Sequence, residues 1–133
     1  MKTLWWCLLL LFSYGYASGD VVSEVLVKST KSWDDTVLPA YPKEAPELTL
    51  MKITIPPHTT LPMHKHPIIN VGYMLKGALK VVTKENKTLA LKAGDAIIEV
   101  VDTWHYGMNE GDEPVEIIVF YAGVKESAYA IKP

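Results

Sequence analysis

The chain has 133 residues, 49% hydrophobic and 21% charged, with a formal net charge of −2 at neutral pH. All 13 basic residues are lysines, so no guanidinium is present to grip a phosphate or carboxylate in bidentate fashion. With no basic stripe and no nucleic-acid module, the composition argues against DNA or RNA as a partner.

The N-terminus has the pattern of an export signal. Lys2 supplies a positive charge, and Leu4 to Phe12 is an unbroken apolar run. Gly15 and Ala17 place small residues where a signal peptidase cuts, predicting a signal peptide over 1–17 with cleavage after Ala17. Cleavage after Gly19 is the second choice. The run is shorter than the ~20 apolar residues a spanning helix needs, so no membrane association is expected after cleavage. Leu4-Trp5-Trp6 before Cys7 lacks the small residues of a lipoprotein processing site. The expected location is the periplasm or the outside of the cell. Cleavage removes the one cysteine, which excludes a disulfide framework, a thiolate metal site and a cysteine nucleophile. Residues 18–133 suffice for a single domain with one core.

Beyond the leader the periodicity is that of strands. Val21 to Lys28 is rich in β-branched residues and reads as a strand, a candidate for edge pairing in a homodimer. Ser29 to Asp35 is polar and turn-forming, Thr36-Val37-Leu38 is a short extended piece, and three prolines make 39–46 irregular. Leu48 to Ile55 alternates apolar with polar apart from Met51, and ends at Pro56-Pro57. A loop from Pro56 to Pro62 leads to His64-Lys65-His66. Two histidines one residue apart on an extended segment point to the same face, and imidazole is the commonest protein ligand for borderline divalent metals.

Ile68 to Lys76 is a strand closed by Gly77, with Gly72 and Met74 on the inward side and Tyr73 and Leu75 on the other. Ala78 to Thr83 and Thr88 to Lys92 flank a hairpin turn at 84–87. Ala96 to Val101 is the next strand, and Asp102 to Trp104 turns into His105, the third histidine of the candidate site. Asn109 to Pro114 is the last marked turn before a final strand over Val115 to Ala122, and the tail from Gly123 has little pattern. No window offers an amphipathic helix. Many short strands with Gly and Pro turns predict an all-β sandwich or barrel.

Residues 58 to 109 resemble the cupins. The family's first motif runs Gly, five residues, His-x-His, three or four residues, Glu, six residues, Gly. Here His64, His66 and Gly77 match in register, His58 stands at the first Gly, and Asn70 at the Glu. The second motif runs Gly, five residues, Pro-x-Gly, two residues, His, three residues, Asn. Gly94, His105 and Asn109 match, while Val100 and Asp102 replace its Pro and Gly. The resemblance implies one cupin domain over 18–133, with motifs at 58–77 and 94–109. Its fold is a double-stranded β-helix, a jelly-roll barrel, with a divalent transition metal (Fe, Mn, Zn, Ni or Cu) on His64, His66 and His105.

The family's fourth ligand is a carboxylate at position 70. Asn70 has the same reach but is neutral and a poorer donor, so it either ligates weakly or holds a bound water or substrate oxygen, or the site has lost its metal. Three neutral imidazoles leave the charge of the ion uncompensated, favouring an anionic oxygen in the open positions. Met63, Gly72, Met74, Trp104 and Tyr106 are candidate pocket-lining residues, with Tyr121 a further aromatic candidate. His58 is a candidate acid or base at the pocket mouth, though an exposed loop histidine is the plainer reading. Glu99 is the best carboxylate for a general base, with an outward, solvated position as the preferred alternative.

Three functions are expected from this pattern. The first is an exported metal-dependent enzyme, of oxygenase or isomerase type, acting on a small organic molecule that chelates through oxygens. The second is a cupin that binds such a ligand without turning it over. The third is a metal-free sugar isomerase or epimerase, weakened by the lack of an arginine for a nucleotide diphosphate.

Overall fold

The computed structural model of the protein describes residues 19–133, and the expected signal peptide lies outside them. The described chain contains eight strands and no helix: β1 (Pro46–Ile55), β2 (Thr59–Thr60), β3 (Ile69–Lys76), β4 (Ala78–Thr83), β5 (Thr88–Lys92), β6 (Ala96–Ile98), β7 (His105–Asn109) and β8 (Val115–Val124). They form two four-stranded sheets with spatial orders β1-β8-β3-β6 and β2-β7-β4-β5, antiparallel throughout. This is an all-β barrel, as the strand count and turn spacing predict, in the jelly-roll form that the resemblance to the cupins implies.

The inner faces of both sheets supply one core. Met74 from β3, Leu79 and Val81 from β4, Ile97 from β6 and Ile117 and Val119 from β8 pack together there. Each such side chain contributes roughly 1.5–3 kcal/mol on leaving water. Gly72 makes this possible at one point. A Cβ there would stand 2.9 Å from both Ile117 and Ile97, so its missing side chain is the space those two occupy. The β4–β5 hairpin forms around 84–87 as its turn residues predict, with Thr83 N–H bonded to Lys87 O at 2.9 Å.

Two segments differ from expectation. Val21 to Lys28 forms no ladder, and Val21 and Val22 stand 98% and 88% exposed. Its β-branched residues suit a strand, but no sheet edge among the described residues offers hydrogen bonds to it. The strand expected over Ala96 to Val101 ends at Ile98. Glu99 N–H still bonds Asn70 O at 3.1 Å, after which the chain leaves β3 and Asp102 N–H bonds His66 O at 2.8 Å.

The replaced motif glycines keep their backbone conformation. His58 and Asp102 both have φ of 52°, in the left-handed region where a Cβ is crowded. Asp tolerates that region better than His does. His58 Nε2 also lies 2.9 Å from Asp112 Oδ1, but both side chains are largely exposed and the contact adds little. Substituting His58→Gly should raise the denaturation midpoint, by up to about 1 kcal/mol of stability. The ~1–2 kcal/mol left-handed penalty outweighs the ~0.5–1 kcal/mol of chain entropy that glycine adds to the unfolded state. A lowered midpoint would show that the exposed His58–Asp112 contact matters more than the backbone.

Candidate metal centre

Backbone pairing brings the histidines together. His64 and His105 face each other across an antiparallel bridge, each N–H bonding the other's carbonyl at 2.9 Å. Directly opposed residues of such a pair share a face, so both rings project to the same side. His66, two residues on, returns to that side, and the backbone of His66 is held by a parallel bridge to Val101. The ring centroids of His64, His66 and His105 lie 4.5–5.0 Å apart. One ligating atom from each lies within 4.8 Å of the other two.

The second nitrogen of every ring is tied down. Nδ1 of His64 donates to Pro62 O at 2.8 Å, Nδ1 of His105 to Thr103 O at 2.8 Å, and Nδ1 of His66 to Tyr129 O at 2.6 Å. A carbonyl only accepts, so each Nδ1 carries the proton and each Nε2 presents a lone pair. Three convergent Nε2 acceptors, oriented by backbone carbonyls, are the arrangement in which imidazoles ligate a transition metal. The tail that lacked pattern supplies one of these carbonyls. Beyond β8 it pairs Ile131 with Lys65 through two backbone bonds, 2.8 and 3.0 Å long.

Burial keeps two of the rings neutral. Desolvation pushes His66 down to about 4, against a raising effect of the Tyr129 carbonyl, and His105 and His64 nearby lower it further. His105 is lowered chiefly by desolvation as well, with the Thr103 carbonyl opposing. Two more acceptors complete the surroundings. Asn70 is fully buried, its amide donates to Ile68 O at 3.2 Å, and its Oδ1 has no partner. Glu99 corrects the solvated reading: its side chain is only 12% exposed, with Oε2 unpartnered and 3.9 Å from His105 Nε2. Desolvation pushes its carboxyl up to about 7. Tyr121, opposite Asn70 on β8, lies 5.9 Å from the His66 ring, and burial together with the Glu99 charge pushes its phenol up to about 12. Orphaned buried acceptors beside three imidazole lone pairs suit a cation, and this donor set fits a divalent transition metal.

The other expected residues are more dispersed. Met74 sits fully buried in the hydrophobic core, and Gly72 has its inward space filled by Ile97 and Ile117. Met63 is half-buried in the loop before His64. Trp104 is half-buried with the Lys65 ammonium 5.4 Å from its ring, and Tyr106 is a half-buried neighbour of His105 on β7. His58 is exposed and precedes β2, which pairs with the end of β7 away from His105. Asn109 is a latch: its Nδ2 lies within 3.1 Å of the carbonyls of Ile55, Pro56 and Glu113, and its Oδ1 accepts from Gly111 N–H.

The two buried groups make opposite demands on pH in the metal-free protein. His66, lowered from 6.5 to about 4, gives stability that is complete above pH 6.5 and lost as pH falls toward 4. Glu99, raised from 4.5 to about 7, gives stability that is complete below pH 4.5 and lost as pH rises toward 7. Each amounts to about 3 kcal/mol at 1.36 kcal/mol per pKa unit. Glu99→Gln should therefore steepen the loss of stability on acidification from pH 6.5 to 4.5. His66→Gln should leave stability declining from pH 4.5 to 7. Denaturant midpoints across this range would test both, and identical slopes in all three proteins would count against these burial effects.

Comparison with known proteins gives this geometry a context. Among curated proteins none matches the chain significantly. The DMSP lyase DddQ from Ruegeria pomeroyi superposes with a TM-score of 0.56 at 21% identity, covering 64% of this chain and 42% of that one. An oxalate decarboxylase from Lactobacillus farciminis, in a formate complex, matches at 26% identity and a TM-score of 0.53, covering 64% and 26%. An uncharacterized conserved protein with a double-stranded β-helix domain from Klebsiella pneumoniae matches at 22% identity and a TM-score of 0.54, covering 83% and 99%. The chain thus spans less than half the length of the two enzymes and nearly all of the third protein's. The Cupin domain family matches residues 51–121, from β1 to β8 and across all three histidines, and the chain belongs to the cupins.

Proposed function

We propose that the protein is an exported cupin that holds a divalent transition metal on His64, His66 and His105 and acts on a small organic molecule chelating through oxygen. The observation that carries the proposal is the common tautomer of the three rings. Each Nδ1–H is spent on a backbone carbonyl, which leaves three Nε2 lone pairs facing one another inside the barrel. A bound ion would supply Lewis-acid polarisation of a substrate oxygen. The chain's own part is to hold the rings rigid and to surround His66 and His105 with low-dielectric core, leaving His64 the least buried of the three. Tyr121 stands beside His66, and burial keeps its phenol protonated, so it is available to donate a hydrogen bond to a bound oxygen.

Similarity to a decarboxylase of oxalate, solved with formate, supports a small carboxylate-bearing molecule as the substrate class. The signal-peptide pattern of residues 1–17 supports export. Elemental analysis of the mature protein should find about one equivalent of transition metal per chain. His64→Ala, His66→Ala and His105→Ala should each lower metal affinity at least as much as the 10–100-fold typical of losing an outer-shell partner. Unchanged occupancy in all three variants would refute the site. A metal-loaded protein that binds small carboxylates tightly and turns none over would place it among binding modules instead.

A further inference from the structure

The sheet register places a carboxylate opposite the position where this chain lacks the one of the cupin motif. In the β3–β6 ladder, Tyr73 opposes Ala96, Gly72 opposes Ile97 and Val71 opposes Ile98. The next pair outward is Asn70 and Glu99, joined by a backbone bond from Glu99 N–H to Asn70 O at 3.1 Å. Directly opposed residues of antiparallel strands project to the same face, with Cβ atoms ~4.5–5.5 Å apart. Asn70 and Ile97 are both buried, so the shared face of this row is the barrel interior. The carboxylate expected at position 70 is therefore displaced by one strand and points the same way.

We propose that Glu99 is the acidic ligand of the metal centre, gripping the cation together with His64, His66 and His105. The inference rests on the metal-binding reading above and names the residue that completes it. Glu99 Oε2 is 3.9 Å from His105 Nε2, at the edge of the cluster in which His64, His66 and His105 lie within 4.8 Å of one another. The three imidazoles converge, and two further buried acceptors, Asn70 Oδ1 and Glu99 Oε2, have no protein partner. Among the described residues no lysine forms an ion pair with Glu99. The indole N–H of Trp33 lies near the carboxyl without reaching hydrogen-bond geometry. Trp33 is fixed in turn by its backbone N–H, 3.0 Å from Ile98 O, so the loop carrying it packs on the strand that carries Glu99. A buried carboxylate without a cation is costly, and a divalent ion on three neutral rings needs an anion.

The test is titration of the metal-free protein with Co²⁺, following both affinity and the visible absorption bands that report coordination. The wild type should bind one equivalent. Glu99→Gln should still bind one equivalent, at least tenfold more weakly and with altered bands, while its circular dichroism stays that of the wild type. The double variant Asn70→Glu/Glu99→Gln returns the carboxylate to the opposite strand and should recover most of the lost affinity, which a merely structural role for Glu99 would not allow. Wild-type affinity and bands in Glu99→Gln overturn the assignment of Glu99 while leaving the three-histidine site standing. Failure of the double variant to recover any affinity also counts against Glu99. Equal binding by wild type and His105→Ala, or none by the wild type, overturns the metal site itself.

Discussion

The site depends on a single constraint, that three imidazoles at one end of a barrel keep one tautomer and stay put. Backbone carbonyls achieve both at once. Pro62, Thr103 and Tyr129 each accept the Nδ1 proton of one ring, which fixes its tautomer and its tilt. The three carbonyls come from the loop before β3, the turn before β7 and the C-terminal tail, so three remote parts of the chain converge on one ligand set. Side-chain partners would have titrated or rotated, whereas a carbonyl does neither.

The two sheets are arranged to serve this constraint. The reciprocal His64–His105 pair joins the loop entering β3 to the first residue of β7, and thereby links the two sheets at the site. Below it the core is filled by aliphatic side chains and Met74, which leaves little room for the rings to sink. Gly72 allows Ile97 and Ile117 to meet beneath Asn70, so the polar layer lies directly over a packed apolar one. Asn109, although part of the second motif, belongs to this scaffold. By holding the carbonyls of Ile55, Pro56 and Glu113 it shapes the far end of β7, where no ligand is required.

Much of the fold was legible in the residues. Alternation marked Leu48 to Ile55, the strand expected over Ile68 to Lys76 begins one residue later at Ile69, and turn residues marked the β4–β5 hairpin. Val21 to Lys28 misled because β-branched composition reports a preference for extended backbone, not the presence of an edge to pair with. Glu99 misled for a related reason. It sits in Ile97-Ile98-Glu99-Val100, where apolar residues on both sides hide the period-two pattern that would have shown its direction. Only its register opposite Asn70 reveals that it faces inward.

By itself the sequence determined that the chain is a β-barrel of cupin type, and that His64, His66 and His105 are its candidate ligands. The strands follow from local alternation, and the cupin type and its ligands from the resemblance to the family's two motifs, both of them properties of neighbouring residues. Tertiary structure decided which carbonyls orient the rings, that the tail closes on His66, and that a carboxylate lies across the ladder from Asn70. Each of these is a contact between residues far apart in the chain, brought together by strand register and barrel closure, and no local pattern encodes it.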